Sequence, residues 1–317
     1  MPRFSVIIPL YNKAPYVRKT VESVLGQTFS DYELIIIDNG STDGSSEIVA
    51  SITDPRIQII QLEENVGVSN ARNNGVAASH GEYLCFLDAD DWWEPSFLEE
   101  MATLITEYPD AGIYGTNYTI VNETKHKTRV APIGVNVGLK KGYINYCRVY
   151  AKTLCMPLWT GAVCMPRRVF NEAGGFPIGI KLGEDFLLWI RIALTHKVVF
   201  LNRPLSNYNQ DVDVNYRGTH HLRDPKEHML WSLGFLEPKE KTNPDYKQLI
   251  DNIRTYGLLP YLLTKQYRKA ARQELAKVDW KRQPLTTRWL YKLPIWVLRL
   301  RQYMLKIGSC IKQHIVR

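Results

Sequence analysis

The sequence predicts an α/β fold: a doubly wound, mostly parallel sheet followed by a smaller helical C-terminal region. Three observations carry the prediction. Between Phe4 and Leu87, short runs rich in Val, Ile and Leu alternate with helical stretches, the order of a β-α-β chain. Those runs are apolar at consecutive positions, as strands covered on both faces require. Beyond Asn215, Pro225, Pro238, Pro260, Pro284 and Pro294 divide the chain into helical lengths.

Taken in order, residues 4–8 form the first strand, running into Pro9-Leu10-Tyr11-Asn12, and a helix follows near 17–25. The second strand, 33–37, ends in Asp38-Asn39-Gly40-Ser41-Thr42-Asp43 before a helix at 45–52. The third, 57–62, leads through Asn65-Val66-Gly67 to a helix at 69–78 that carries Ala71-Arg72-Asn73. The fourth, 83–87, ends in Asp88-Ala89-Asp90-Asp91. Ligands of such sheets bind at the carboxyl ends of the strands, and here those ends are polar and acidic. From Thr124 to Gly142 the pattern is lost and a flexible loop is expected. A second ordered block, 154–209, contains Trp159-Thr160-Gly161, Gly174-Gly175-Phe176 and Gly183-Glu184-Asp185. The last piece reads as a helix start, with acids in the first turn.

A chain of 317 residues accommodates one α/β domain of ~200–250 residues and a smaller appendage. Its five cysteines, Cys85, Cys147, Cys155, Cys164 and Cys310, include no Cys-x-x-Cys pair; an odd count at scattered positions argues against a zinc cluster or disulfide framework and suits buried thiols. The apolar run 4–9 is too short for a signal peptide, and no uncharged run of ~18 apolar residues occurs. A cytoplasmic protein is expected, with peripheral contact at the inner face of a membrane as an option. The net charge of +8 is unevenly placed: residues 265–317 hold fourteen Lys/Arg against Glu274 and Asp279, a net of +12, which leaves −4 on the rest. An anionic partner is to be sought at that tail.

Several strand-end residues suit specific chemistry. Residues i and i+2 of an extended strand point the same way, so Asp88 and Asp90 are expected to face one site. Clustered carboxylates call for a cation, and Mg²⁺ or Mn²⁺ is held by one or two carboxylates plus substrate phosphates; a turn-capping pair is the bland alternative. Asp38 is either an Asx-turn acceptor or the acceptor for a base N–H, with Arg72 as donor. Asp185 is either a helix-end charge or a general base that takes a hydroxyl proton. A single base with no covalent intermediate inverts the configuration at the reacting carbon. Trp159 either stacks on an acceptor sugar or packs in the core.

In this order the residues resemble family 2 glycosyltransferases of the GT-A fold, over residues 3 to 211. The resemblance rests on Ser5-Val-Ile-Ile-Pro9-Leu-Tyr11-Asn12, Ser23-Val-Leu-Gly-Gln27-Thr28, residues 33–43, Asn65-Val-Gly67, Ala71-Arg72-Asn73, Asp88-Ala-Asp90-Asp91-Trp92 and Gly183-Glu184-Asp185. It implies a catalytic domain over 1–215, with a nucleotide-binding half at 1–120 and an acceptor-side half at 143–211, then a helical, basic region over 216–317. It implies an inverting enzyme that draws on a nucleotide-sugar, with UDP expected, and a glycan or lipid-linked acceptor. Pro9, Tyr11, Asn12, Asp38, Asn65 and Arg72 would line the nucleotide pocket, with Asp38 and Arg72 on the base. Asp88 would contact ribose or donor sugar, and Asp90 a divalent metal. Asp185 would be the base, Glu184 its support, and Trp159 an acceptor contact. The chain departs from the family pattern in two places. Asn39 stands where a second aspartate is common. Tyr208-Asn209-Gln210-Asp211 stands where a His-bearing segment is common, which offers Asp211 as a substitute metal ligand.

The alternative reading is a catalytically silent nucleotide-sugar-binding subunit. A nucleotidyltransferase is disfavoured because Pro9-Leu-Tyr-Asn-Lys13 lacks the glycines of a phosphate loop. Nucleic acid is an unlikely partner for the tail, whose charges accompany no nucleic-acid module. Instead Trp289, Leu293, Trp296, Leu300, Met304, Ile307 and Ile311 recur at helical spacing, either as an interfacial face for an anionic membrane or as a face packed on the catalytic domain. Pro294 is expected to kink or restart that helix.

Overall fold

The computed structural model describes residues 2–122, 124–212 and 222–300. The chain divides into two compact units, Met1–Leu233 and Gly234–Arg317. The boundary expected at 215/216 lies outside the described residues, as do Met304, Ile307, Cys310 and Ile311.

The first unit is built on one mixed sheet. Its strands are β1 Phe4–Leu10, β2 Tyr32–Asp38, β3 Ile57–Gln61, β4 Tyr83–Phe86, β5 Trp92–Trp93, β6 Ala111–Asn122, β7 Lys127–Val130, β8 Lys141–Ile144, β9 Val163–Pro166 and β10 Lys197–Asn209. The order is β3-β2-β1-β4-β9-β6-β10-β5, with β7 beside β6 and β8 beside β10. β3, β2, β1 and β4 are mutually parallel. β9 runs antiparallel between β4 and β6, and β6 and β10 are again parallel. The helices are α1 Val17–Leu25, α2 Ser45–Ala50, α3 Val68–Ala78, α4 Phe97–Glu107, α5 Tyr146–Thr153, α6 Arg167–Glu172 and α7 Glu184–Ala193.

The consecutive apolar residues of β1 and β2 are explained by cover on both faces. Val6, Ile8, Leu34 and Ile36 join Val17, Val21 and Val24 of α1 in one buried cluster. Ile7 and Ile37 point the other way, toward α3, as the strand period of two dictates. There α3 lies so close that a Cβ on Gly75 would stand 2.5 Å from Ile7 Cγ2. That approach fixes the depth of α3 against the sheet, and Arg72 rides on the same helix one turn earlier.

Residues 124–142 are not the featureless loop that the pattern implies. β7 returns antiparallel along the end of β6, and β8 pairs with the first half of β10. All four side chains of β7 are exposed, so no core faces the strand and no apolar alternation marks it. Its backbone pairs with β6 from Thr119 to Asn122.

In the second unit, α8 Glu237–Thr242, α9 Pro244–Gly257, α10 Leu259–Leu263, α11 Arg268–Leu275 and α12 Leu285–Lys292 follow one another. The prolines stand at helix beginnings: Pro238, Pro244 and Pro260 occupy first-turn positions and Pro284 is an N-cap, where a missing N–H costs nothing. Leu293 leaves the helical conformation, and residues 295–300 form a new helical segment after Pro294. Arg254, fully buried, is held by both oxygens of Glu240 at 2.8 Å each. Among the described residues no helix is long and apolar enough to cross a membrane. Cys85, Cys147 and Cys164 are buried free thiols and Cys155 is a half-buried one.

Candidate active site

Four successive loops meet at the carboxyl ends of β1, β2, β3 and β4. After β1, Pro9 and Leu10 complete the strand and Tyr11 projects into solvent. Asn12 takes the left-handed conformation, φ 50°, which asparagine tolerates better than most residues. Its N–H donates to Ser41 Oγ at 3.1 Å and its Oδ1 accepts from Thr42 N–H at 2.9 Å. The β1 and β2 loops are thus laced together. Asp38, nearly fully buried, accepts from Ser41 N–H at 3.0 Å and from the Ser46 hydroxyl. Asn39 donates to Asn65 Oδ1 at 3.0 Å and accepts from Val66 N–H at 2.9 Å. Here an amide can serve as donor and acceptor together, which a carboxylate cannot.

Arg72 is the hub. Its guanidinium is buried, with Nη2 2.6 Å from Asp88 Oδ1 and Nη1 3.1 Å from Glu184 Oε1. It lies over the ring of Phe176, 5.0 Å from the centroid. Neighbouring Asn73 holds that phenylalanine by its backbone, donating to Phe176 O at 2.9 Å and accepting from Phe176 N–H at 3.0 Å. The protein partners of the Arg72 guanidinium are the two acids, Asp88 and Glu184.

The carboxylates after β4 are gathered by a turn rather than by strand alternation. β4 ends at Phe86, and Asp91 N–H donates to Asp88 O at 3.0 Å, closing a turn over residues 88–91. Asp90 meets Lys13 Nζ at 2.7 Å. Burial raises the Asp90 pKa, Lys13 opposes the rise, and the Asp88 charge adds to it. Asp91 is buried and pushed well up by burial and by its neighbours Asp90 and Asp88. Its oxygens accept from Asn209 N–H at 2.8 Å and Trp159 Nε1 at 3.3 Å. The end of β10 is therefore tied to the acidic turn. Asp211, two residues on, accepts from Thr124 N–H at 3.1 Å and Thr124 Oγ1 at 2.7 Å.

Gly183 places the other acids. At φ 82° it caps α7, a conformation open to glycine and strained for other residues. Glu184 and Asp185 then occupy the first turn, where the helix dipole favours negative charge. Asp185 accepts from Phe186 N–H at 2.7 Å and from Thr160 Oγ1 at 3.2 Å. Burial raises both carboxyls: Glu184 to about 7, with Asp185 adding and Arg72 opposing, and Asp185 against the pull of Arg72 and its hydrogen bonds. Trp159 packs against Tyr208 at 4.3 Å and Tyr118 at 5.6 Å between ring centroids. The segment 159–161 thereby forms a strut: Trp159 grips Asp91, Thr160 grips Asp185, and Gly161 O accepts from Trp93 Nε1 at 2.6 Å.

A family model described as glycosyl transferase family 2 matches residues 5–171, the span that holds the first four strand ends and the strut. The chain belongs to glycosyltransferase family 2. Glycosyltransferase GlyA of Streptococcus pneumoniae is 34% identical over 215 residues, 65% of this chain and 30% of that protein. An uncharacterized glycosyltransferase of Rickettsia conorii is 30% identical over 229 residues, 72% of this chain and 35% of the other. The chain thus spans about a third of the length of these two relatives. The crystal structure of S. aureus TarS 1-349 in complex with UDP-GlcNAc superposes with a TM-score of 0.58 at 20% identity, over 87% of this chain and 71% of that one. The fold is GT-A.

Lys13, Asn73, Asp91, Thr160 and Phe176 complete the site beyond the residues singled out from the sequence. A lysine two residues after the strand-end tyrosine and an asparagine following Arg72 were visible in the sequence, but their partners lie 77 and 103 residues away.

Proposed function

We propose that this glycosyltransferase moves a sugar from a UDP-sugar to a hydroxyl of a glycan or lipid-linked acceptor by single displacement with inversion, assisted by a divalent cation. The observation that carries the reading is the Arg72 bridge, which sets the acidic turn of Asp88 and the acid pair of Glu184 and Asp185 on two sides of one guanidinium. Tyr11, exposed at the rim, offers a ring for the nucleobase; Pro9 stands at the end of β1, Asn65 is tied to Asn39 in the loop after β3, and Asn12 shapes the loop after β1. Each Asp38 oxygen retains a lone pair beyond the bond it accepts, enough for an imide N–H. In this reading Asp88 turns to the ribose or donor sugar.

The acidic turn suits Mg²⁺ or Mn²⁺. Among the described residues no three His, Cys, Asp or Glu side chains gather to hold a metal alone, but such ions take one or two carboxylates and complete their shell with phosphates and water. Asp90 and Asp88 are hard oxygen donors, and the raised Asp90 pKa marks a carboxylate that gains from a nearby cation. Bound there, the ion would neutralise charge developing on the leaving diphosphate. Asp211, with both oxygens engaged by Thr124, is the weaker candidate ligand. Asp185 accepts the acceptor proton, held in place by Phe186 N–H and Thr160; Glu184, its carboxyl raised by burial to about 7, supports it beside Arg72. Trp159 presents the acceptor side.

The test is a panel of UDP- and GDP-sugars incubated with and without Mn²⁺, with the anomeric configuration of the product read by NMR. Metal-dependent turnover of a UDP-sugar with inversion supports the reading. Retention, or equal turnover in chelator, overturns it.

A further inference from the structure

We propose that the helical stretch 285–300 is a docking surface for an anionic lipid bilayer, a role independent of which donor the site takes. The observation is an exposed apolar series in the second unit. Leu285 is 67% exposed, Trp289 66%, Leu293 39%, Trp296 68% and Leu300 55%. These residues recur at spacings of four, four, three and four, the period of one helical face. The chain is broken at Leu293 and Pro294, and each piece carries its own exposed apolar pair: Leu285 and Trp289 share a face of α12, and Trp296 and Leu300 share a face of segment 295–300.

The segment is not a loose tail whose apolar groups have simply found no place. Leu298 is buried, Tyr291 Oη donates to Thr255 O at 2.6 Å, and Arg299 Nη2 donates to Leu263 O at 2.9 Å. One side of the segment is seated within its own unit while the other presents two tryptophans and three leucines to solvent. Tryptophan in water is costly to expose, and its amphipathic ring is suited to the boundary between headgroups and acyl chains.

Charge selects the occupant. Lys281, Arg282, Lys292 and Arg299 are exposed around the series, and Lys292 Nζ stands 5.4 Å from the centroid of the Trp289 ring. No acidic residue occurs between 280 and 300. A second copy of the face would repel the first. A bilayer with anionic headgroups supplies apolar depth for the tryptophans and opposite charge for the flanking cations.

The experiment uses the full chain with sedimentable vesicles, one set of neutral phosphatidylcholine and one containing ~30% phosphatidylglycerol. The full chain is expected to sediment with the anionic set and to remain in solution with the neutral set at low salt. Trp289→Ser with Trp296→Ser should cut the bound fraction by roughly tenfold. Sugar-donor hydrolysis and the thermal midpoint should stay unchanged. No sedimentation of the parent with anionic vesicles overturns the proposal. So does equal sedimentation of the double variant, which would leave a purely electrostatic contact. A parent that self-associates while the double variant is monomeric overturns it in favour of a second copy. Tight binding of a single-stranded oligonucleotide that the double variant loses, with vesicle binding intact, overturns it in favour of nucleic acid.

Discussion

Lys13 Nζ and Asp90 Oδ2 lie 2.7 Å apart, with both side chains mostly shielded from water. The ammonium therefore stands as the protein's own counter-charge to the carboxylate proposed to hold a divalent ion. Replacing Lys13 by Met removes that counter-charge and leaves the acidic turn with a larger unmet demand for a cation. Mn²⁺ affinity measured without nucleotide is expected to rise several-fold in Lys13→Met and to vanish in Asp90→Asn. An unchanged or lower Mn²⁺ affinity in Lys13→Met would show that the ion is held elsewhere.

The acid pair on α7 separates by pH. If Asp185 is the base, Asp185→Asn lowers transfer by ~10²–10⁴-fold while UDP-sugar affinity survives. Both carboxyls are raised, so the ionised base accumulates as pH climbs and transfer increases with pH on the acid side. Glu184→Gln should keep that acid limb and should not move it upward, because the limb belongs to Asp185. A limb centred near 7 that disappears in Glu184→Gln would transfer the role of base to Glu184.

Asn73 is a positioning residue. Its amide gives one hydrogen bond to Phe176 and takes another, and Phe176 carries the ring beneath Arg72. Asn73→Leu leaves a backbone donor and acceptor unmatched, with an expected cost of about 2 kcal/mol or more. Asn73→Asp keeps the acceptor and loses the donor, so its cost should be smaller in urea melts. Equal stability of the leucine variant and the parent would remove the pin from the account.

His228 sets part of the acid stability of the first unit. It is buried, its Nδ1 accepts from Leu230 N–H at 3.1 Å, and burial lowers its pKa from 6.5 to about 4. A folded-state pKa below the unfolded value means that stability is complete above about 6.5 and is lost as pH falls toward 4, by up to about 3 kcal/mol. The raised carboxyls of Asp90, Asp91 and α7 act in the opposite sense, adding stability as pH falls. The clean readout is therefore a difference: the stability gap between the parent and His228→Gln should narrow from pH 7 to pH 4. A gap independent of pH would show that the imidazole does not titrate on unfolding.

The first four strands and three helices were legible because their signal is local: apolar runs, a polar loop, a helix. β1 and β2 extend only one or two residues beyond the predicted runs. The acids of the site were legible for the same reason, since each stands directly after an apolar run or a glycine. What joins them was not. Arg72 meets Glu184 across 112 residues, Asp91 meets Asn209 across 118, and Asn73 meets Phe176 across 103. No periodicity records such pairs. β7 escaped because its four side chains are all exposed, and β5 because two residues are too short to show a pattern. Asp88 and Asp90 are brought together by the turn at 88–91, since β4 ends at Phe86 and strand alternation stops there.

The bridge through Arg72 has a thermodynamic consequence. One positive charge is shared between Asp88 and Glu184, and it also lowers the Asp185 pKa. A donor that draws Asp88 toward itself frees that charge for the acids of α7 and makes them more acidic. Protonating those acids must, by reciprocity, alter donor affinity by the same factor. In the proposed mechanism, loading one end of the guanidinium and readying the proton acceptor at the other are a single linked equilibrium, so donor affinity itself would become a pH-dependent reporter of the base.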